Sequence, residues 1–242
     1  MSSAKPFQPR TTPNHSHRSV AGGLARVAVF GVSDGLVSNV SLILGFAGAN
    51  VGPSVVRLAG LAGGIAGAAS MAAGEWVSIS AQNELIEREV ALERAALADE
   101  PAAETEELVA IYRSHGMSKE RARAAALEVM SEPEAALMVH AREELGIDPG
   151  ELASAWRAAG LSLVCFIVGA ILPVIPWFVA SGRAATVASI VIGILAAAVV
   201  GTMIGRLAER PWIRTATRQV FIMLLACGAT YLVGRIVGVS IN

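Results

Sequence analysis

"GVSDGLVSNVSLILGF", residues 31–46, is apolar enough to enter a bilayer, yet it carries Asp34 near its start. An ionised carboxylate at the centre of a membrane helix costs about 2.5–3.5 kcal/mol even on lenient insertion scales. Acidic groups kept there usually mark an ion path. The stretch therefore sets the fold class, a membrane helix, and raises a question of function at Asp34.

The remainder of the chain agrees with a membrane reading. Of its 242 residues 54% are hydrophobic and only 16% charged, with a mean hydropathy of +0.56, outside the balance of ordinary soluble domains. Five apolar blocks, residues 26–50, 58–80, 156–180, 184–205 and 219–239, approach or exceed the ~20 residues that span about 30 Å of hydrocarbon. The expected fold is an all-α polytopic membrane protein with five transmembrane helices and a helical domain between the second and third. The expected division is a flexible basic tail (1–25), spans one and two (26–80), an acidic helical insert (81–155) and spans three to five (156–242).

Charge is partitioned along the chain. Residues 81–155 hold 17 of the 20 acidic residues and 7 basic ones, a balance of −10, while the rest holds 12 basic and 3 acidic, +9. The basic N-terminal arm (Arg10, Arg18, Arg26) and the loop with Arg206, Arg210, Arg214 and Arg218 predict a cytosolic N-terminus and insert and an external C-terminus. The tail lacks the apolar core of a signal peptide, and with the Arg- and Ala-rich style this favours a bacterial plasma membrane. An insert this acidic repels phosphates and excludes nucleic-acid binding. Cys165 and Cys227 sit in apolar runs and read as small hydrophobes rather than a disulfide or thiolate site. No phosphate loop or His-Glu-x-x-His motif is present, and no prosthetic group is expected.

The insert is helical by pattern. "SAQNELIEREVALERAALAD" continues the second span without a Gly or Pro break, so that helix runs on beyond the membrane. Pro101 opens a helix ending at Gly116 in the C′ position, Ser118 caps "KERARAAALEVM", and Ser131 with Glu134 forms a capping-box pattern ahead of "PEAALMVHAREELG".

Several polar groups lie in the spans. Met71 and Glu75 are four residues apart, on one helix face, and Ser78 and Gln82 extend that line. Asp34 on the adjoining helix adds a second carboxylate, and oxygen ligands with one thioether suit Fe2+ or Mn2+ better than Mg2+. Gly31 and Gly35 flank Asp34, followed by Ser38, Asn39 and Ser41, as room for an ion or water near the backbone. Gly60/Gly64 and Gly63/Gly67 form overlapping G-x-x-x-G patterns, read either as bundle packing or as a dimer face. Pro173 and Pro176 either free backbone carbonyls or simply kink the third span. In the insert, Glu104/Glu107 and His140/Glu144 are pairs on single helix faces, and like charges so placed favour a bound cation.

These residues resemble the vacuolar iron transporter family. The resemblance rests on "DGLVSNVSLILGFAGA", "AGAASMAAGEWVSISAQNE", "ETEELVAIYRSHG" and "HAREELGID", and covers nearly the whole chain from about residue 25. It implies a homodimer that moves Fe2+, and often Mn2+, out of the cytosol in exchange for protons. It implies a pathway through Asp34, Met71 and Glu75, and a cytosolic metal-binding domain with ligands at Glu93, Glu104, Glu107 and Glu144. His140 and Ala141 stand where the family has adjacent methionines, and Ala96 where it has a glutamate, so imidazole replaces thioether. A membrane-anchored ferritin-like iron oxidase or store is the alternative. It expects Glu-x-x-His pairs, yet three residues before His115 and His140 stand Tyr112 and Leu137. A receptor with an acidic partner-binding domain is a third reading, which leaves Asp34 and Glu75 unexplained.

Overall fold

The computed structural model describes residues 23–150 and 152–241; all but residues 23–25 of the basic tail lies outside them. Among the described residues the regular structure is entirely helical: α1 Leu24–Gly48, α2 Pro53–Asp99, α3 Pro101–Ser114, α4 Lys119–Met130, α5 Pro133–Glu143, α6 Ala155–Ile171, α7 Pro176–Val179, α8 Gly182–Leu207 and α9 Trp212–Ile241. Helices α1, α2, α8 and α9 are each long and apolar enough to cross a membrane. The third expected span is different. α6 is 17 residues, and a turn over 172–175 separates it from the four-residue α7. Proline has no N–H to donate and cannot continue the ladder, which is why Pro173 and Pro176 break the helix here.

α1 is the centre of the bundle, packed on α2, α6, α8 and α9. Leu36, Val40 and Leu44 on one side of it meet Ala197 of α8 and Met223 and Cys227 of α9. Ile43 joins Val56, Val174, Trp177 and Ala185 at the other end. Where α1 crosses α6 the backbones touch. A Cβ on Gly35 would stand 2.1 Å from the Phe166 carbonyl oxygen, and one on Gly169 would stand 2.2 Å from that of Val32. Gly31 likewise faces Cys165 and Ser162. The glycines flanking Asp34 thus make room for a helix and not for an ion. They sit four residues apart on the face turned to α6, and Asp34 projects beside that face.

The G-x-x-x-G glycines are also consumed inside the chain. Gly60 meets Val174 and Ile43, Gly63 meets Leu42, Gly64 meets Ala170 and Gly67 meets Phe166. Close approach of helices at small residues is the bundle-packing use of the motif.

The insert stands on α2, whose 47 residues form one uninterrupted helix. α3 packs on α4, α5 packs on α2 and α4, and the small core holds Leu108, Val109, Ala122 and Ala126. Exposed ion pairs Arg94–Glu134 (3.7 Å) and Arg123–Glu106 (2.5 Å) reinforce the α2–α5 and α4–α3 contacts. Gly116 takes φ +93° just beyond α3, and the Ser118 hydroxyl accepts from Arg121 N, as the pattern implies. The capping box does not form. Pro133 takes the first helical position of α5, which makes Glu132 the N-cap, and the Ser131 hydroxyl donates backward to Glu128 O at 2.7 Å. At the base of the insert Trp76 lies 5.7 Å from Trp156, and Asn83 donates to Ala153 O at 2.9 Å.

Gly35→Ala is expected to destabilise the protein by at least the ~1–3 kcal/mol of an overpacked core, because the clash is with backbone. Gly74→Ala, in helix with open space around it, should be neutral or gain up to ~1 kcal/mol in helix propensity. Thermal unfolding and size-exclusion profiles in detergent compare the two; equal behaviour would contradict the packing.

Candidate functional site

Two places gather the polar residues, one within the apolar helices and one in the insert. The first is a cavity of about 300 Å3 between α1, α2 and α6, lined by Asp34, Ser38, Asn39 and Leu42 from α1, Gly63, Gly67, Ser70 and Met71 from α2, and Phe166 from α6. At Gly63 and Gly67 the absent side chains admit Leu42 and Phe166, which with the two glycines line it. The Ser38 hydroxyl donates to Asp34 Oδ1 at 3.3 Å, and Met71 rests against the cluster of Ala68, Phe166 and Ala170. The structure therefore brings Asp34 and Met71 to one cavity. Glu75 falls outside its lining, one turn further along α2 toward the insert and half-buried.

Asp34 also borders a second cavity, of about 750 Å3, on the opposite side of α1. Its walls are Phe30, Val37, Ile204 and Ile222, with Arg26, Ser33 and Gln219 as polar groups. The Gln219 amide donates to the Ser33 hydroxyl there, tying α9 to α1.

Asn39 is the residue of the first site whose part was not apparent from the pattern of charges. It is 3% exposed, and its Nδ2 donates to Gly60 O of α2 at 3.1 Å and Ala170 O of α6 at 2.5 Å. The second acceptor exists because α6 ends at the turn that contains Pro173. In an unbroken helix Ala170 O would receive the Val174 N–H, but that N–H turns to Ile171 O at 2.9 Å. The sequence offers freed carbonyls and kinking as alternatives for these prolines; both are realised, and one freed carbonyl holds Asn39.

In the insert, Glu93 of α2, Glu104 of α3 and His140 of α5 place ligand atoms within 4.8 Å of one another. His140 Nδ1 lies 3.1 Å from Glu93 Oε1 and 3.6 Å from Glu104 Oε2. His140 is 0% and Glu93 8% exposed. Even so, neither His140 nitrogen nor Glu93 Oε1 makes a hydrogen bond among the described residues. Buried polar atoms are normally satisfied, so lone pairs that converge without pairing suit a shared cation. The donor set, one imidazole and two carboxylates, fits Fe2+, Mn2+ or Zn2+ better than Mg2+ or Ca2+. Glu107 and Glu144 are exposed neighbours whose charges act on Glu93. Burial first, then Glu144, Glu104 and Glu107, push the Glu93 carboxyl up to about 7. Glu144 is raised too, by burial and then by Glu107. The five insert residues named from the sequence thus lie at one end of the α2–α3–α5 junction, with three forming its centre.

The fold and these sites define an integral membrane protein with a cavity among apolar helices that Asp34, Ser38, Asn39 and Met71 line, and an acidic cluster on a helical insert. The chain belongs to the VIT family, whose model matches residues 25–235. It is 27% identical over 237 residues to "Vacuolar iron transporter 1" of Arabidopsis thaliana, covering 97% of this chain and 95% of that protein. It is 31% identical over 213 residues to "Vacuolar iron transporter 2" of Oryza sativa subsp. japonica, covering 87% and 86%. These relatives are named as transporters, and membership in their family sets the enzyme alternative aside.

The raised Glu93 pKa predicts an unusual pH dependence in chelator. A carboxyl that titrates near 4.5 unfolded and about 7 folded holds its proton longer in the native state. Stability is then highest below about pH 4.5 and falls as pH rises to about 7. Hydrogen exchange of α3–α5 amides in the full chain should quicken over that window, and Glu93→Gln should flatten the trend. Protection rising with pH in the parent would refute the assignment.

Proposed function

We propose that the protein carries Fe2+, and Mn2+ as a second substrate, across a membrane and out of the cytosol in exchange for protons. The observation that supports it most directly is Asp34 and Met71 on one cavity among membrane-length helices. A carboxylate and a thioether offer a divalent transition metal mixed ligands, and the metal's second charge offsets the cost of keeping an ionised Asp34 there. Relatives named as vacuolar iron transporters favour iron as the cargo.

In this reading the insert, with the N-terminus, faces the cytosol, as the basic loops require. Glu93, Glu104 and His140, aided by Glu107 and Glu144, collect the ion. Glu75 stands between that cluster and Met71 along α2 and receives the ion at the entrance to the cavity. Metal and protons compete for the same carboxylates, because a ligand must be deprotonated to bind; exchange for protons follows from that competition. Assembly as a homodimer belongs to the same proposal.

Asp34→Ala should abolish Fe2+ uptake into proteoliposomes under an imposed pH gradient while leaving expression and monodispersity intact. Wild-type rates in that variant would sink the proposal. His140→Ala should weaken Mn2+ binding to the full chain, read by calorimetry, by roughly tenfold or more, since it removes the central ligand of the insert. An unchanged isotherm would place the collecting site elsewhere.

A further inference from the structure

Both hydrogens of the Asn39 amide are spoken for, one by a carbonyl of α2 and one by a carbonyl of α6. That fixes which end of the amide is oxygen, because a carbonyl oxygen facing two other carbonyl oxygens would repel them. It also fixes where the oxygen lies. Asn39 lines the cavity of Asp34 and Met71, and its Oδ1 is on the Gly63 side, 3.7 Å from where a Gly63 Cβ would stand. Gly63 lines the same cavity.

This oxygen is buried and accepts no hydrogen bond among the described residues. An orphaned buried acceptor carries an uncompensated desolvation penalty. A leucine of similar volume would avoid that penalty but would lose the clasp on α2 and α6. A serine hydroxyl would be too short to reach both carbonyls. The amide therefore meets a helix-packing need with its nitrogen and leaves an oxygen for something that is not part of the apo chain.

We propose that Asn39 Oδ1 is a coordinating oxygen for the transported divalent cation within the cavity that Asp34 and Met71 also line. The proposal rests on the transport reading above. A neutral amide oxygen is a hard ligand suited to Mn2+ and Fe2+, and it adds coordination without a second charge that would hold the ion too tightly to be released. Because the amide is held by two helices other than its own, the ligand's position depends on how α1, α2 and α6 pack. A shift of α6 would move it.

The test uses the full-length protein with Mn2+ as the probe. Asn39→Leu should raise the KM for Mn2+ transport at least about tenfold and penalise Mn2+ more than Zn2+, since a hard oxygen is lost and the thioether kept. Asn39→Asp keeps an oxygen and adds charge, and should lower the KM. A purely structural clasp predicts the opposite order for Asp, which also loses both donors, and no change in metal preference. Should either variant fail to fold, infrared difference spectra of the parent decide. With 13C-labelled asparagine, of which the chain has five, Mn2+ should shift one side-chain carbonyl band, and the shift should vanish in Asp34→Ala. No shifted band, or an unchanged KM in both variants, overturns the proposal. If Asp34→Ala transports normally, the transport reading has failed instead.

Discussion

One amide on α1 decides how three helices meet. Asn39 donates to α2 and α6 at once, from a position where neither water nor lipid competes. A side chain in that place is worth more than its two hydrogen bonds, because without it Ala170 O, which the Val174 N–H has left for Ile171 O, would be a buried acceptor left unpaired. The break in the third span, the clasp and the shape of the first cavity are therefore one feature. At the turn that contains Pro173 the Val174 N–H leaves Ala170 O for Ile171 O, the carbonyl so exposed takes the Asn39 hydrogen, and α6 packs against α1 closely enough that Gly35 and Gly169 have no room for a side chain.

The second constraint is the continuity of α2. Its 47 residues extend about 70 Å at 1.5 Å per residue, and Met71 and Glu93 stand some 33 Å apart on it. No hinge residue interrupts that interval except Gly74, which remains helical. A ligand set at one end of a rigid rod and a cavity wall at the other are mechanically joined. Any rearrangement of α3 and α5 around Glu93 that tilts the rod is felt at Gly63, Gly67 and Met71. This joins the insert to the membrane bundle without a flexible linker between them.

Much of this was legible from residue order. The apolar blocks located the long helices, and the unbroken stretch after residue 80 gave the long α2. Charge in an apolar run named Asp34 and helical spacing named Met71 with Glu75; Asp34 and Met71 line one cavity, and Glu75 lies outside it. Of the insert residues named from the sequence, Glu93, Glu104 and His140 bring ligand atoms together, with Glu107 and Glu144 near enough for their charges to act on Glu93. What was not legible depended on which of two neighbours a residue serves. Gly31 and Gly35 read as space near a carboxylate, but a glycine's missing side chain can admit a helix as easily as an ion, and only the packing of α6 decides. Ser131 fitted a capping box, yet Pro133 fixes the helix start one residue later than that pattern needs. Asn39 was visible as one polar residue among several. Its importance came from a carbonyl 131 positions away in sequence, which no local pattern reports.

The two polar sites differ in how they tolerate the absence of a cation, and that difference bears on direction. In the insert, Glu93 is strained when ionised: burial and three neighbouring carboxylates raise its pKa to about 7. A proton or a bound cation would each relieve that strain, which is the competition the proposed transport draws on. In the membrane cavity Asp34 has the Ser38 hydroxyl as a partner and borders cavities on both sides of α1. It stands alone as a carboxylate in the lining of either. One site is a crowded acidic cluster that gains from any positive charge. The other is a single carboxylate, with neutral companions in the α1–α2–α6 cavity and Arg26 in the lining of the second. In the proposed transport an ion passing from the first to the second would move from a place of many charges to a place of one, which suits capture at the insert and release from the bundle.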